Sequence, residues 1–390
     1  MTRLFKIAFR REKFILGRSG RMDNPKCGAC GGAMKRNGKT KAGAQRWRCK
    51  ACGASTTHRI DNSAKELDAF LRWLFSKRGQ EDFGCSSRTF RRKAARFWQM
   101  WPLPSYTGEV CDVVFLDGIW ISGLVVLIAC TKEHVLAWHL AESENSGAWA
   151  ALMAKMAPPR LAVSDGGAGF AKAARAMWPA TRVQRCTFHA FCQVKRCTTS
   201  RPKLEAGKEL YGLAKKLLKA KDAGSAAAWL AEYAEWCSKW EGFLREFALE
   251  DGKRRYVHRE LRKARRALNS LVRSGTLFAF VEMAEERGGE WDSTSNMIEG
   301  GVNAQLREMI RNHRGLSRMR RVKAIFWWCY AHAGSPLPAA RMLKAMPTDD
   351  DVEGLFAMAS KPKRRDGGTP DEYGAGVAWG EFHTAVEYRQ

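Results

Sequence analysis

Four cysteines fall in two pairs, Cys27-Gly-Ala-Cys30 and Cys49-Lys-Ala-Cys52, with 18 residues between them. Each Cys-x-x-Cys makes a tight knuckle whose thiolates face one point, and two knuckles complete a tetrahedron around Zn²⁺. Between the pairs, residues 33–39 read as a strand and turn, and residues 45–49 as the returning strand. So small a ribbon has little core of its own, which makes the metal structural. Its cations, Lys35, Arg36, Arg46 and Arg48 among them, suit phosphate contact.

Two aspartates offer different chemistry. Asp117 stands in or at the end of an apolar stretch, and Asp165-Gly-Gly follows another. Carboxylates at neighbouring strand ends converge on hard cations such as Mg²⁺, and two such ions activate a nucleophile and stabilise a leaving oxygen in phosphoryl transfer. An isolated Asp-Gly more often only makes a turn. The layout around these two supplies the strands they need. Residues 113–121, 124–130 and 135–140 predict three strands, 147–157 a helix, 161–164 a strand ending at Asp165, 168–177 a helix and 182–186 a last strand.

Upstream, Leu67, Phe70, Leu71 and Leu74 keep helical spacing, and Ser86 or Ser87 can cap a second helix whose inner stripe is Phe90, Ala94 and Phe97. That pair predicts a helix-turn-helix over 61–105, with Arg88, Arg91, Arg92 and Arg96 on its outer face. Residues 201–285 read as helices carrying a Leu, Trp and Phe stripe, which is core rather than a base-stacking platform. Beyond 335, residues 336–346 predict one more helix, and Thr348-Asp-Asp-Asp and Lys361 onward a mobile tail.

The charge balance narrows the partner. Lys and Arg number 67 against 40 acids, a formal charge of +27, in a chain that is 45% hydrophobic. A folded protein with that excess repels itself unless a polyanion covers it, so nucleic acid leads over an anionic membrane surface. Residues 1–60 hold 16 cations against 2 acids, 253–273 hold 9 against 1, and 301–325 hold 7 against 1, the last set including Arg307, Arg311, Arg314 and Lys323. The most apolar run, Gly118 to Thr131, has 14 uncharged residues, short of the roughly 20 that span a bilayer. No signal peptide and no nucleotide-binding glycine fingerprint is read. The 12 cysteines then fit a reducing cytoplasm, with the protein on DNA.

The series Asp117, Asp165-Gly-Gly, Cys186-Thr-Phe-His189 and Asn296-Met-Ile-Glu299-Gly resembles the Mutator-type bacterial insertion-sequence transposases, over about residues 25–333. The resemblance implies an α/β, RNase H-like mixed-sheet core with an all-α insertion before the last acid, preceded by the zinc ribbon and the helix-turn-helix. It implies a catalytic triad of Asp117, Asp165 and Glu299 on two Mg²⁺ ions, with Mn²⁺ able to substitute, and accessory roles for Cys186 and His189. Read without it, Glu290 and Glu308 rival Glu299 as the third ligand, and Cys192 and Cys197 extend Cys186 and His189 into a conceivable second zinc set. The implied organisation is a basic arm (1–22), ribbon (23–60), helix-turn-helix (61–105), core (110–200), helical insertion (201–288), the Glu-bearing end of the core (289–335) and a tail (336–390). The implied activity is cleavage and joining at terminal inverted repeats by a homodimer or larger multimer on double-stranded DNA. The alternatives are a ribbon-type DNA-binding regulator with an inactive core, and a nuclease or resolvase on the same fold.

Overall fold

Alternating and fully apolar runs pair as their periods require. A computed structural model describes residues 24–57 and 62–359; the basic arm (1–22) and residues 360–390 of the tail lie outside the described residues. The chain divides into two units, residues 1–64 and 65–390.

The first unit holds β1 (Met34–Lys39), β2 (Gln45–Cys49) and β3 (Ser55–Thr57) in one antiparallel sheet, in that order. Along β2 the period-2 pattern buries Trp47 and Cys49 and exposes Arg46 and Arg48. The core of this unit is only Cys27, Met34, Trp47 and Cys49, with Ala54 against it.

In the second unit the elements follow as α1 (Ser63–Leu74), α2 (Ser87–Ala94), β4 (Val113–Ile121), β5 (Leu124–Cys130), β6 (Val135–Ala141), α3 (Ser146–Met153), β7 (Leu161–Ser164), α4 (Ala168–Met177), β8 (Arg182–Arg185) and α5 (Thr187–Thr198). Next come α6 (Glu205–Leu217), α7 (Ala223–Lys239), α8 (Glu241–Arg245), β9 (Phe247–Glu250), β10 (Lys253–Tyr256), α9 (Arg259–Arg273) and α10 (Ala279–Arg287). A π-helical turn, Met297–Asn303, leads into α11 (Ala304–Asn312), α12 (Arg318–Ala331), α13 (Ala339–Ala345) and α14 (Asp349–Ala359).

The main sheet has five strands in the order β6-β5-β4-β7-β8, antiparallel across β6-β5-β4 and parallel across β4-β7-β8. Both faces are covered, which is why β5 is buried along nearly its whole length. Val114, Leu116, Val125 and Leu127 point to the side packed by Trp149 and Leu152 of α3 and Phe170 of α4. Their neighbours Phe115, Ile119, Val126 and Ile128 point to the other side, in one cluster with Ile325 and Phe326 of α12.

The two helices near the start join that second cluster. Phe70 sits 5.4 Å from Phe97, 4.9 Å from Trp98 and 6.0 Å from Trp327 of α12, and Trp327 Nε1 donates to Phe97 O. Leu67, Phe70, Leu74, Phe90, Ala94 and Phe97 are buried, while Arg88, Arg91, Arg92 and Arg96 are exposed. α2 is shorter than its sequence suggests and passes into a 3₁₀ turn at Ala95–Gln99.

Three expectations need correction. The insertion is not all helical: β9 and β10 form a hairpin, Glu250 opposite Lys253. Its turn, Asp251-Gly252, has φ of 53° and 71°, the two positive values of a type I′ turn, for which Asp-Gly is a preferred pair. Residues 348–351 are not a mobile tail but the start of α14. Thr348 Oγ1 accepts from Asp351 N, and Asp351 Oδ2 accepts from Thr348 N, which closes a capping box. Third, Lys323 does not belong to a DNA-facing set. It is buried at 1% exposure on α12, its Nζ donating to Trp98 O at 2.7 Å and pairing with Asp349 Oδ1 at 2.5 Å.

That pair ties α14 to the core, with Trp101 Nε1 donating to the same Asp349 oxygen at 2.8 Å. Asp349→Ala strands a buried ammonium and an indole N–H. Breaking a buried pair costs about 3–5 kcal/mol, and the solvent reaching Asp349 reduces this to about 2–3 kcal/mol. Chemical denaturation of the unmodified and Asp349→Ala chains measures it; an unchanged midpoint would show that α14 contributes nothing.

Half-buried imidazoles make the same unit less stable in acid. Burial holds His139, His313 and His332 below the usual histidine value, His139 down to about 4, where Lys155 adds to the effect. As pH falls, the unfolded chain therefore takes up protons first. Their contribution is fully present above about pH 6.5 and is lost as pH drops toward the folded values. The expected Tm at pH 5.5 is about 2–4 °C below that at pH 7.5, on the scale of ~2 kcal/mol. His332→Phe, which can keep the stack on Trp328 but cannot charge, flattens its share of the slope.

Candidate active site and metal centre

In the first unit the two knuckles meet. Cys27 Sγ lies 3.6 Å from Cys52 Sγ, and Cys30 Sγ lies 3.5 Å from Cys49 Sγ. The four sulfurs all fall within 4.8 Å of one another. The knuckle amides of Cys52 and Ala51 point at Cys49 and hold its thiol down at about 6, so a thiolate is ready for a cation. Gly31 and Gly53 turn the chain after each pair at φ of 70° and 74°. Four thiolates converging on one point could bind zinc, and they match a closed structural site. Lys35, Arg36, Arg46 and Arg48 are exposed on the strands beside it, with Arg36 over the Trp47 ring at 5.8 Å.

In the second unit the site gathers at one end of the parallel strands. Leu116 of β4 pairs with Ser164 of β7, so Asp117 and Asp165 come next on adjacent strands. Asp117 Oδ1 accepts from Gly118 N at 2.8 Å, and Oδ2 from Asn303 Nδ2 at 2.7 Å. Asn303 ends the π-helical turn that carries Glu299. A π turn widens the helix locally and recurs at functional positions. Glu299 Oε1 accepts from Ser295 Oγ at 2.5 Å.

The carboxylates feel one another. Burial pushes Asp117 up to about 7 against the opposing Gly118 N–H, and the charges of Asp165, Glu299 and Glu144 add to the rise. Arg185, at the end of β8, packs over the Asp165-Gly166 turn: a Cβ on Gly166 would fall 2.4 Å from its guanidinium. Burial lowers the Arg185 pKa, and Asp165 opposes that.

Cys186 and His189 do meet Glu299. The three donor atoms lie within 4.8 Å of one another. Cys186 is fully buried and its Sγ accepts from Ser295 N at 3.2 Å. Burial pushes its thiol up, but the bonds from His189 and Ser295 outweigh that and leave it below its ordinary value. The Cys186 contact in turn raises His189 against the cost of burial. His189 Nδ1 stands 3.4 Å from Glu299 Oε1, at ion-pair distance but without hydrogen-bond geometry. Cys192 and Cys197, further along α5, are not in that group, and Asp117 and Asp165 are not within the same 4.8 Å.

The rivals of Glu299 face elsewhere. Glu308 pairs with Lys77 at 2.7 Å, and Glu290 is exposed. Arg307, Arg311 and Arg314 are exposed on and just after α11, the helix that continues from the Glu299 turn. Lys93 and Arg96, beside the other helical arginines, pair with Glu66.

Four participants carry little signal in the sequence. Asn303 and Ser295 are one helical turn from Glu299 on either side. Glu144 and Trp120 look like an N-terminal helix acid and an exposed strand aromatic, and only folding joins them.

Residues 124–252 match the family described as transposase, Mutator family. The chain is also 36% identical over 86 residues to the transposase for insertion sequence element IS6120 of Mycolicibacterium smegmatis. That stretch is 21% of this chain, and it spans about a quarter (24%) of that relative's length. The two matches support a Mutator-type insertion-sequence transposase.

Proposed function

We propose that the protein is a DNA transposase of an insertion sequence, binding terminal inverted repeats and catalysing metal-dependent phosphodiester cleavage and strand transfer. The observation that carries this reading is that Asp117 on β4 feels the charges of Asp165, which follows β7, and of Glu299 on the π turn, in a chain whose residues 124–252 match the Mutator family. The sheet with its late acid supports an RNase H-like core interrupted by a largely helical insertion.

The donor set fits a hard divalent cation. Asp117, Asp165 and Glu299 offer carboxylate oxygens, and the buried Asn303 Oδ1 has no hydrogen-bond partner. Two Mg²⁺ ions, or Mn²⁺ in their place, would supply positive charge for the attacking and leaving oxygens. Asp117 and Asp165 would hold both, and Glu299 would complete one. Asn303 fixes the Asp117 carboxylate by its amide, and Ser295 fixes Glu299 by its hydroxyl. Cys186 holds the Ser295 backbone, so the Cys-x-x-His pair positions the acid.

Arg88, Arg91, Arg92, Arg96, Arg307, Arg311 and Arg314 would take phosphates, together with the cations of the ribbon. No helix of the described residues is long and apolar enough to cross a membrane. The reading places the protein on double-stranded DNA in the cytoplasm, as a homodimer or larger multimer that brings two element ends together.

A plasmid carrying the gene's own flanking DNA tests this with purified protein and Mg²⁺. Nicks mapping to the repeats with joined products are expected. Tight binding without cleavage would point to a regulator, and cutting without joining to a nuclease or resolvase. Arg311→Ala with Arg314→Ala should flatten the dependence of log affinity on log salt by about 1–2, since each lost phosphate contact removes about 0.9 from the slope. An unchanged slope would take these two off the DNA.

A further inference from the structure

We propose that Cys186, His189 and Glu299 form a site for a borderline-soft divalent ion of the zinc class, and that such an ion withdraws Glu299 from the Mg²⁺ site. The second clause rests on the reading that Glu299 is a catalytic ligand. Cys186 caps α5 and His189 lies in its first turn, so the Cys-x-x-His spacing brings both side chains to one side of the helix start. Glu299 comes from the π-helical turn. The thiol, a ring nitrogen and a carboxylate oxygen of these three lie within 4.8 Å of one another. Among the described residues, the ribbon cysteines and this trio are the ligand groups so gathered.

The donor types separate this place from the carboxylate site beside it. Mg²⁺ takes oxygen ligands, whereas a thiolate with an imidazole selects zinc and its neighbours in the transition series. His189 Nδ1 stands 3.4 Å from Glu299 Oε1. Two ligand atoms on one tetrahedral zinc, with bonds of about 2.0 Å, are about 3.3 Å apart. Three protein ligands leave the fourth position to water. The side chains of His189 and Glu299 are 24% and 28% exposed, which gives an ion a way in from solvent, and the buried Cys186 closes the inner side. Asp117 and Asp165 lie outside the group, so the two sites share Glu299 alone.

Two further observations distinguish a ligand set from a simple ion pair. A His–Glu pair would aim an N–H at the carboxylate, yet His189 Nδ1 is a buried atom with no hydrogen-bond partner. A ring nitrogen left over at that distance offers a lone pair that a cation takes up. Independently, Ser295 holds both of the other ligands. Its N–H donates to Cys186 Sγ at 3.2 Å, and its hydroxyl donates to Glu299 Oε1 at 2.5 Å. These neutral donors orient the sulfur and the carboxylate without cancelling their charge, as outer partners do at metal sites. The sequence offered Cys192 and Cys197 to complete the set of Cys186 and His189, and folding supplies Glu299 in their place. With such an ion bound, the Mg²⁺ site would lack its third acid.

The test adds Co²⁺ as a probe to the full-length chain with its ribbon zinc in place, without DNA. One added Co²⁺ per chain should give a thiolate-to-cobalt charge-transfer band in the near ultraviolet, which Zn²⁺ bleaches by displacement. Cys186→Ser should lose the band. His189→Gln and Glu299→Gln should bind Co²⁺ at least about tenfold more weakly, since losing even an outer partner of a ligand costs that much. His189→Gln reads the same site from its solvent side if Cys186→Ser does not fold. Saturating Mn²⁺ should weaken Co²⁺ binding at least about fivefold through the shared acid, and should have no such effect in Glu299→Gln. A band of equal strength in Cys186→Ser would put the cobalt in the ribbon, and unchanged affinity in Glu299→Gln would take the acid out of the site. Either result would overturn the inference and leave the proposed function standing. So would an absence of competition where calorimetry shows Mn²⁺ binding that Asp165→Asn loses. No Mn²⁺ binding by the unmodified chain would remove the carboxylate metal reading, and the withdrawal of Glu299 with it.

Discussion

Asp165→Asn should cleave the element's ends at least about 10³-fold more slowly than the unmodified protein, while binding the same DNA with unchanged affinity. The substitution keeps size and hydrogen bonding but removes one negative charge from a site that has to collect two dications. A 10³-fold loss corresponds to about 4 kcal/mol of barrier. Asp117→Asn and Glu299→Gln should fall as far, because each acid comes from a separate segment that the others cannot replace. Glu308→Gln and Glu290→Gln make the discriminating controls. Glu308 is spent on Lys77 and Glu290 is exposed, so both should cleave at nearly the unmodified rate. Cleavage preserved in Asp165→Asn would end the triad assignment. A severe loss in Glu308→Gln would reopen the choice of third acid.

Removing zinc from the ribbon should unfold residues 24–57 and leave the second unit folded. The physical reason is the size of the core. Cys27, Met34, Trp47 and Cys49 are its buried hydrophobic residues. Ordering each backbone residue costs about 1–2 kcal/mol, which four small-unit side chains cannot offset. A structural zinc site supplies about 10–16 kcal/mol of apparent binding free energy at pH 7. Cys49→Ser, or a strong chelator, should therefore abolish amide protection across β1, β2 and β3 in hydrogen exchange. Strands β4–β8 should keep theirs, since they lie in the other unit. Zinc content by elemental analysis should drop from one per chain to near zero in Cys49→Ser. Full protection after complete zinc removal would show that the ribbon folds without its metal, and the four-thiolate site would then lose its structural role.

Much of the scaffold was legible because its signals are local. β4, β5, β7 and α4 begin and end where the apolar runs and glycines put them. The ribbon pairs could be read from Cys-x-x-Cys spacing, since a knuckle is closed by its own backbone amides. The β9–β10 hairpin was missed although Asp251-Gly252 announces it, because the surrounding helical stripes dominated the pattern. The start of α14 was missed for another reason. Three aspartates in a row look like solvated coil, and only the capping box and the buried Lys323 give them partners.

The sequence by itself determined the four-cysteine cluster, the strand that carries Asp117, the strand that ends just before Asp165, and the basic character of the chain. These depend on neighbours in the chain, on spacing of 2 or 3.6 residues, or on simple counting of charge. Only the tertiary structure decided that the charges of Glu299 and Glu144 both reach Asp117, that Lys323 is buried, and that Glu144 lies over Gly118. Asp117 and Asn303 are 186 residues apart yet 2.7 Å in contact. No local period encodes such a contact. It exists because the packed sheet and the π turn leave that one place for both side chains, and burial then makes the carboxylate's partners matter.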